Sequence, residues 1–460
     1  MWGSTAPVTR PRRGPASGAP TPEYRPPGGA PSAAAIVVVS VVVLAAFLVG
    51  LAVWQISDGG GSEAATETTA STAPPDGPNG GVSPQAPAPA QPLPTVPPTT
   101  TPPVPEPDVD LLAQIEEIKA FVARNRDLDF LADVPVEVVD AGTYDARLRE
   151  SMEARREAIE DTGKVWSALG LIEPTVPFFD ALWTTQVTAT SVRYDPATEA
   201  LVVEDGALDG YRRAELAEQL TVALVDQHHG ALRPELDAVP DESALAFASL
   251  LAGDAGRMSD LWLQAVPEDE QLEAVEREQE VAGEVAAFGI PEKVLIYVNS
   301  PERLGALLVD ELAFSVRDAL DAAYASPPTT TEQLIEPSAY EDGEEAIAVD
   351  PPPADGEVFD EGVLGEYLLI VALTDVLGPD RAFDVGEGWG GDWFVAWSTP
   401  DGAPCIRADL VGDDDLETDE IEAGLIEWST RSGAEVERTE QGLVRFTMCA
   451  ASGGGSSSRL

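Results

Sequence analysis

Histidine and cysteine are nearly missing from this sequence, which has two of each in 460 residues. The histidines, His228 and His229, are neighbours. Adjacent helical residues point about 100° apart, so the two imidazoles cannot hold one ion from a single helix face. Basic residues are also few, 27 Lys+Arg against 81 Asp+Glu, giving a formal charge of −54. A field of that sign repels nucleic acid phosphates and anionic lipid head groups, which excludes both as partners for the bulk of the chain. No G-x-S-x-G nucleophile elbow occurs, and no Gly-rich phosphate loop sits between a strand and a helix. Cys405 and Cys449 both lie in strand-like segments. Two readings of them stay open: a disulfide, if that region lies in an oxidising compartment, or two buried free thiols.

What the chain does have is one long uncharged run, AAAIVVVSVVVLAAFLVGLAVW at residues 33–54, about the length that crosses a bilayer as a helix. A buried core helix of that length would show a polar face, and this run shows none. Arg10, Arg12, Arg13 and Arg25 precede it against a single acid, Glu23, whereas Asp58, Glu63 and Glu67 follow it. The positive-inside bias therefore predicts a single-pass protein of the cell membrane, its N-terminus cytoplasmic and its remainder extracytoplasmic. The long Pro-rich tail ahead of the run favours an uncleaved anchor over a signal peptide. Residues 1–32 read as a disordered basic tail, 33–55 as the transmembrane helix, and 56–107 as a disordered Pro/Thr/Gly-rich stalk. At ~3.1 Å per residue, such a stalk could hold a domain on the order of 100 Å from the membrane.

The globular part is predicted to be α+β, with a mainly helical region at 108–350, a C-terminal α+β part at 351–451 and a flexible tail at 452–460. Leu111, Leu112, Ile115, Ile118 and Val122 recur at helical spacing, and 143–169 reads as one further helix. Residues 191–204 alternate around Asp195-Pro196 and predict a hairpin, after which Asp209 can cap a helix running to His229. Residues 242–264 form another helical block. Further on, a helix is expected near 362–377, strands at WFVAW and CIRADL, a helix at 415–430, and strands at AEVERT and LVRFTM. The run GDDDLETDE from Gly412 has the acid content of a calcium loop without its central glycine and alternating spacing. It is read as a solvated helix N-terminus.

One segment carries a family pattern. Residues 216–230, LAEQLTVALVDQHHG, resemble the active-site helix A-H-E-L-T-H-A-L-x-D-Q-H of a bacterial and archaeal zinc metallopeptidase-like family. Ala217, Leu220, Thr221, Ala223, Leu224, Asp226, Gln227 and His228 match it. Glu218 stands at the first zinc histidine, Gln219 at the general-base glutamate and Val222 at the second zinc histidine. Those positions matter because residues i and i+4 share a helix face, where two imidazoles hold one zinc and the adjacent carboxylate activates its water. Valine offers no lone pair, and glutamine cannot take the proton. The family's third ligand lies in E-G-D-A; here LLAGDAG keeps Gly253, Asp254 and Ala255 and puts Ala252 at the ligand position. PPTTTEQLIEPSAY at 327–340 resembles P-P-x-S-T-E-Q-x-L-H-P-x-x-Y, keeping Glu332 and Gln333 and placing Glu336 where the family has histidine. GWGGD, from Gly388, resembles a later segment of the same family.

The resemblance implies a zincin-like body in which Glu218, Gln219, Val222 and Ala252 converge on one cleft, with no catalytic residue, zinc or other cofactor. Asp226, Gln227, His228, Asp254, Glu332 and Gln333 would be structural. The function implied is an inactive metallopeptidase homologue that binds a protein or peptide in its cleft, or regulates one. Two alternatives stand beside it: a hydrolase using a non-zinc carboxylate site in that cleft, and a structural cell-envelope protein.

Overall fold

The computed structural model describes residues 109–450, apart from 238 and 316–317. The segments expected to form the basic tail, the anchor, the stalk and the C-terminal tail lie outside the described residues. Among the described residues no helix is long and apolar enough to cross a membrane.

The architecture is α+β, with many helices around two small sheets. Helix α1, Val109–Arg126, forms on the expected periodicity and buries Ile115, Ile118 and Val122. Strand β1, Val136–Val139, follows, then α2, Ala141–Glu153, and α3, Arg156–Ala168. One continuous helix was expected here. The backbone of Arg155 leaves the helical region at φ −124°, and Arg156 bridges Glu153 and Glu160 across the break, its Nε 2.7 Å and its Nη1 3.0 Å from their oxygens. Periodicity could not reveal the break, because buried Tyr144, Leu148, Met152 and Ile159 keep one helical phase through it.

Helix α4, Phe178–Ala189, leads into the hairpin of β2, Val192–Asp195, and β3, Ala200–Glu204. The hairpin forms as expected, and β1 adds to it in parallel with β3, giving the order β1-β3-β2. Next come α5, Gly210–His229, a short α6, Pro234–Asp237, and α7, Ser243–Ala265. Helices α8, Glu268–Ala287, and α9, Glu292–Ser315, continue the body, followed by α10, Ala319–Ala325, α11, Glu332–Ile335, and α12, Pro337–Asp342. Helices α7 and α9 cross almost backbone to backbone: a Cβ on Gly305 would stand 1.7 Å from the Ser249 carbonyl oxygen, and one on Gly253 would stand 2.3 Å from the carbonyl carbon of Gly305. Gly253, one of the positions that match the pattern, is therefore a helix-crossing residue.

Strand β4, Glu357–Gly362, then α13, Gly365–Leu377, and α14, Pro379–Gly386, precede β5, Trp389–Ser398, and β6, Pro404–Gly412. The chain ends with α15, Asp415–Ser432, β7, Glu435–Arg438, and β8, Val444–Cys449. The second sheet is antiparallel throughout, in the order β4-β5-β6-β8-β7. Asp414 caps α15, accepting from the amides of Leu416 and Glu417 while Glu417 reaches back to the Asp414 amide. Cys405 and Cys449 are direct partners across β6 and β8, with Cα atoms 3.9 Å apart and sulfurs at bonding distance.

Two large apolar cores result, and neither is contiguous in sequence. One gathers α1, the first sheet, α5, α7 and the middle of α9. The other gathers α3, α4, the start of α9 and the C-terminal sheet with α13 to α15.

Candidate functional site

Helix α5 starts where Asp209 accepts a hydrogen bond from the Arg212 amide at 2.9 Å. It is a central helix, with every residue from Ala214 to Val225 buried. On one face lies α7, and on another the edge strand β2. Glu218 is 3 % exposed and faces Gly256, Ser259 and Asp260 of α7 and Glu302 of α9 across a cavity of about 20 Å3. That space holds a water and cannot admit a peptide. One Glu218 oxygen bonds Ser259, while Oε2 has no partner. Burial first, then the charges of Glu302 and Glu215, push the Glu218 carboxyl well above the usual range, and burial with Asp260 raises Glu302. The pair therefore retains a proton at neutral pH.

Gln219 turns the other way, its Oε1 accepting from the Tyr194 amide of β2 at 2.8 Å. Val222 and Ala252 have no exposure and belong to the apolar core that α5 and α7 share. The structure thus brings the two helices together but does not gather the four positions around one open cleft. Valine and alanine fill with packing what imidazole and carboxylate would need as polar space.

The remaining residues of this pattern anchor loops. Asp226 accepts from the Ala231 amide at 2.7 Å and the Tyr194 hydroxyl at 2.8 Å. Gln227 accepts from the amides of Leu131 and Ala132 at 2.7 and 3.2 Å, and His228 Nε2 lies 2.8 Å from the Asp129 carbonyl. Asp254, fully buried, takes hydrogen bonds from Arg126 Nε at 3.0 Å and the Tyr324 hydroxyl at 2.9 Å. Each ties together segments that are distant in sequence.

The segment around α11 is different. Thr331 donates to buried Glu242 through its hydroxyl at 2.7 Å and its amide at 3.1 Å. Gln333 accepts from the Thr329 amide at 2.8 Å and donates to the Glu344 carbonyl at 2.6 Å. Asp392 of the GWGGD segment accepts from the amides of Leu364 and Gly365 and from Trp389 Nε1, at 2.8, 3.0 and 2.8 Å, and so ties β5 to the start of α13. Between these anchors the carboxylates of Glu332, Glu344 and Asp413 come within 4.8 Å of one another. Glu366 of α13 lies beside Glu332 and Glu336, with no exposure and neither oxygen hydrogen-bonded. Burial, reinforced by neighbouring acids, pushes Glu332 up to about 8, Glu366 to about 9 and Asp413 to about 6. Sequence reasoning marked Glu332 and Glu336 but missed Glu344, Glu366 and Asp413, which come from separate segments and share no local motif.

Buried acids give the fold a pH dependence of definite sign. Burial raises Glu242 from 4.5 to about 8 and Asp360 from 3.8 to about 8. The unfolded chain releases these protons at lower pH than the folded one, so stability is fullest in acid and falls as pH rises through about 8. Urea midpoints should decline steadily from about pH 5 to about pH 9, and Glu242→Gln should flatten the slope near 8. Constant or rising midpoints would count against these groups being buried.

No protein-family model, curated protein or solved structure matches this chain.

Proposed function

We propose that this protein is a membrane-anchored, extracytoplasmic relative of the zinc metallopeptidase-like family that has lost its zinc site and serves binding or regulation. The observation that carries this reading is the interior of the α5–α7 pair: Val222 and Ala252 are fully buried in apolar packing, and Glu218 is sealed against Ser259 and Glu302. A zinc site needs several nitrogen, sulfur or oxygen donors on one ion and an open position for substrate, and these residues supply neither. The anchor and orientation are supported by the uncharged run at 33–54 and its arginine flank. Ligand-sized space lies away from α5. One surface pocket of about 400 Å3 is lined by Tyr144, Arg147, Ser151, Arg193 and Asp195, and another of about 380 Å3 by Arg156, Lys164, Phe178, Phe179 and Pro404. The test pairs elemental analysis with a peptide-library assay. Purified protein is expected to carry no stoichiometric zinc and to cleave nothing; chelator-sensitive proteolysis abolished by Glu218→Gln would overturn the reading.

A further inference from the structure

We propose that Glu332, Glu344 and Asp413, with Glu366 behind them, form a calcium-binding site. The three carboxylates offer oxygens all within 4.8 Å of one another. Calcium–oxygen distances are about 2.3–2.6 Å, so any two ligands of one ion stand no more than roughly 5 Å apart, a limit that all three of these oxygens meet. Among the described residues no lysine or arginine pairs with any of the three.

Crowded surface acids alone would not make a site. Glu366 is the independent observation: it has no exposure, both its oxygens lack a hydrogen-bond donor, and the acids acting most strongly on its carboxyl are Glu336 and Glu332. A buried carboxylate without a donor is costly unless a cation or proton supplies the missing interaction.

The backbone is also arranged to bring these segments together. Ile347, shortly after Glu344, donates its amide to the Gly390 carbonyl at 2.7 Å, and Gln333 holds the Glu344 carbonyl. A Cβ on Gly390 would stand 2.9 Å from Asp413 Oδ1, and one on Gly391 would stand 2.1 Å from the Ile347 carbonyl oxygen. The paired glycines of GWGGD therefore let the chains bearing Glu344 and Asp413 press against β5.

The donor set selects the ion. It is all carboxylate, without histidine or thiol, which disfavours zinc and copper. Its members come from α11, the loop after α12, the turn between β6 and α15, and helix α13, two of them exposed and adjustable. Such a set suits the variable, high coordination of calcium better than the strict octahedron of magnesium.

The test is calorimetric titration of the purified full-length chain, stripped with EDTA, with CaCl2 and separately with MgCl2 at near-physiological salt. One calcium per chain is expected, with Kd on the order of 10⁻⁴ M. Asp413→Asn and Glu344→Gln change exposed side chains and should keep the far-UV circular dichroism of the parent. Each should weaken calcium binding by about tenfold or more. Glu366→Gln should do the same where it folds, and the two surface variants decide the matter where it does not. A chain of this net charge also attracts cations diffusely, but diffuse binding is weak, fades with salt and ignores single substitutions. No saturable calcium heat, binding unchanged in both surface variants, or tighter magnesium than calcium would overturn the proposal.

Discussion

Arg126→Ala is expected to lower the free energy of unfolding by roughly 3–5 kcal/mol, because it leaves a buried carboxylate without its counter-charge. Arg126 is 8 % exposed, and its guanidinium reaches Asp254 through Nε and Asp321 through Nη2, each at 3.0 Å. Asp254 has no exposure and keeps only the Tyr324 hydroxyl once the arginine is gone. One hydrogen bond from a hydroxyl to a carboxylate, worth about 1.5–3 kcal/mol, does not offset the desolvation of a buried charge left without its counter-ion. His229 extends the network, with Nε2 3.7 Å from Asp321 and its ring stacked 5.1 Å from Tyr324, so loosening should spread to the C-terminus of α5. The measurement is guanidinium chloride unfolding of the parent, Arg126→Ala and the double variant Arg126→Met/Asp254→Leu. The double variant should recover much of the loss, since an apolar replacement of a buried pair is often neutral. A single-variant loss below about 1 kcal/mol would mean that water reaches Asp254 and the network does not hold α1 to α7.

That network also shows where the sequence was informative and where it was not. Local signals survived well: Asp209 and Asp414 cap the helices they precede, the 191–204 segment folds as a hairpin, and the strand-like segments around Cys405 and Cys449 are strands. These depend on contacts a few residues apart or on a periodicity carried by one segment. Asp254 was noted only as a family match, because Arg126 and Tyr324, which explain it, lie 128 and 70 residues away. Strand β1 escaped notice for a similar reason. The four residues VEVV are valine-rich, but so short a run becomes a strand only through its pairing with the distant β3. The acidic site was least legible of all. In a chain with 81 acids, Glu344, Glu366 and Asp413 are unremarkable until β5, with glycines where side chains would collide, draws their segments to α11. The run GDDDLETDE divides accordingly: Asp414 and Glu417 cap α15 as expected of a helix N-terminus, while Asp413, one residue earlier, turns to Glu332 and Glu344.

Removing the link between Cys405 and Cys449 should destabilise the domain by about 4 kcal/mol, the chain-entropy value for a loop of this length. The two cysteines are 44 residues apart, and the loop they close contains α15 and β7 as well as most of β6 and β8. The folded state should change little. Cys405 and Cys449 sit opposite each other in a ladder that continues through Leu410 and Val444, and Ala450 also donates to the Pro404 carbonyl at 2.9 Å. The loss should therefore arise mainly from the greater freedom of the unfolded chain, without a new native structure appearing. Cys405→Ala/Cys449→Ala is the variant to measure, with near-UV circular dichroism as the check that the packing of Trp428 on Phe446, rings 5.5 Å apart, persists. Mass spectrometry of the unreduced parent should find the peptides bearing Cys405 and Cys449 joined. A linked pair also fits the proposed extracytoplasmic position, since cytosolic reductants would keep these thiols apart. A double variant within about 1 kcal/mol of the parent would show that the unfolded chain is already compact between these residues, or that the link strains the sheet by as much as it restrains the coil.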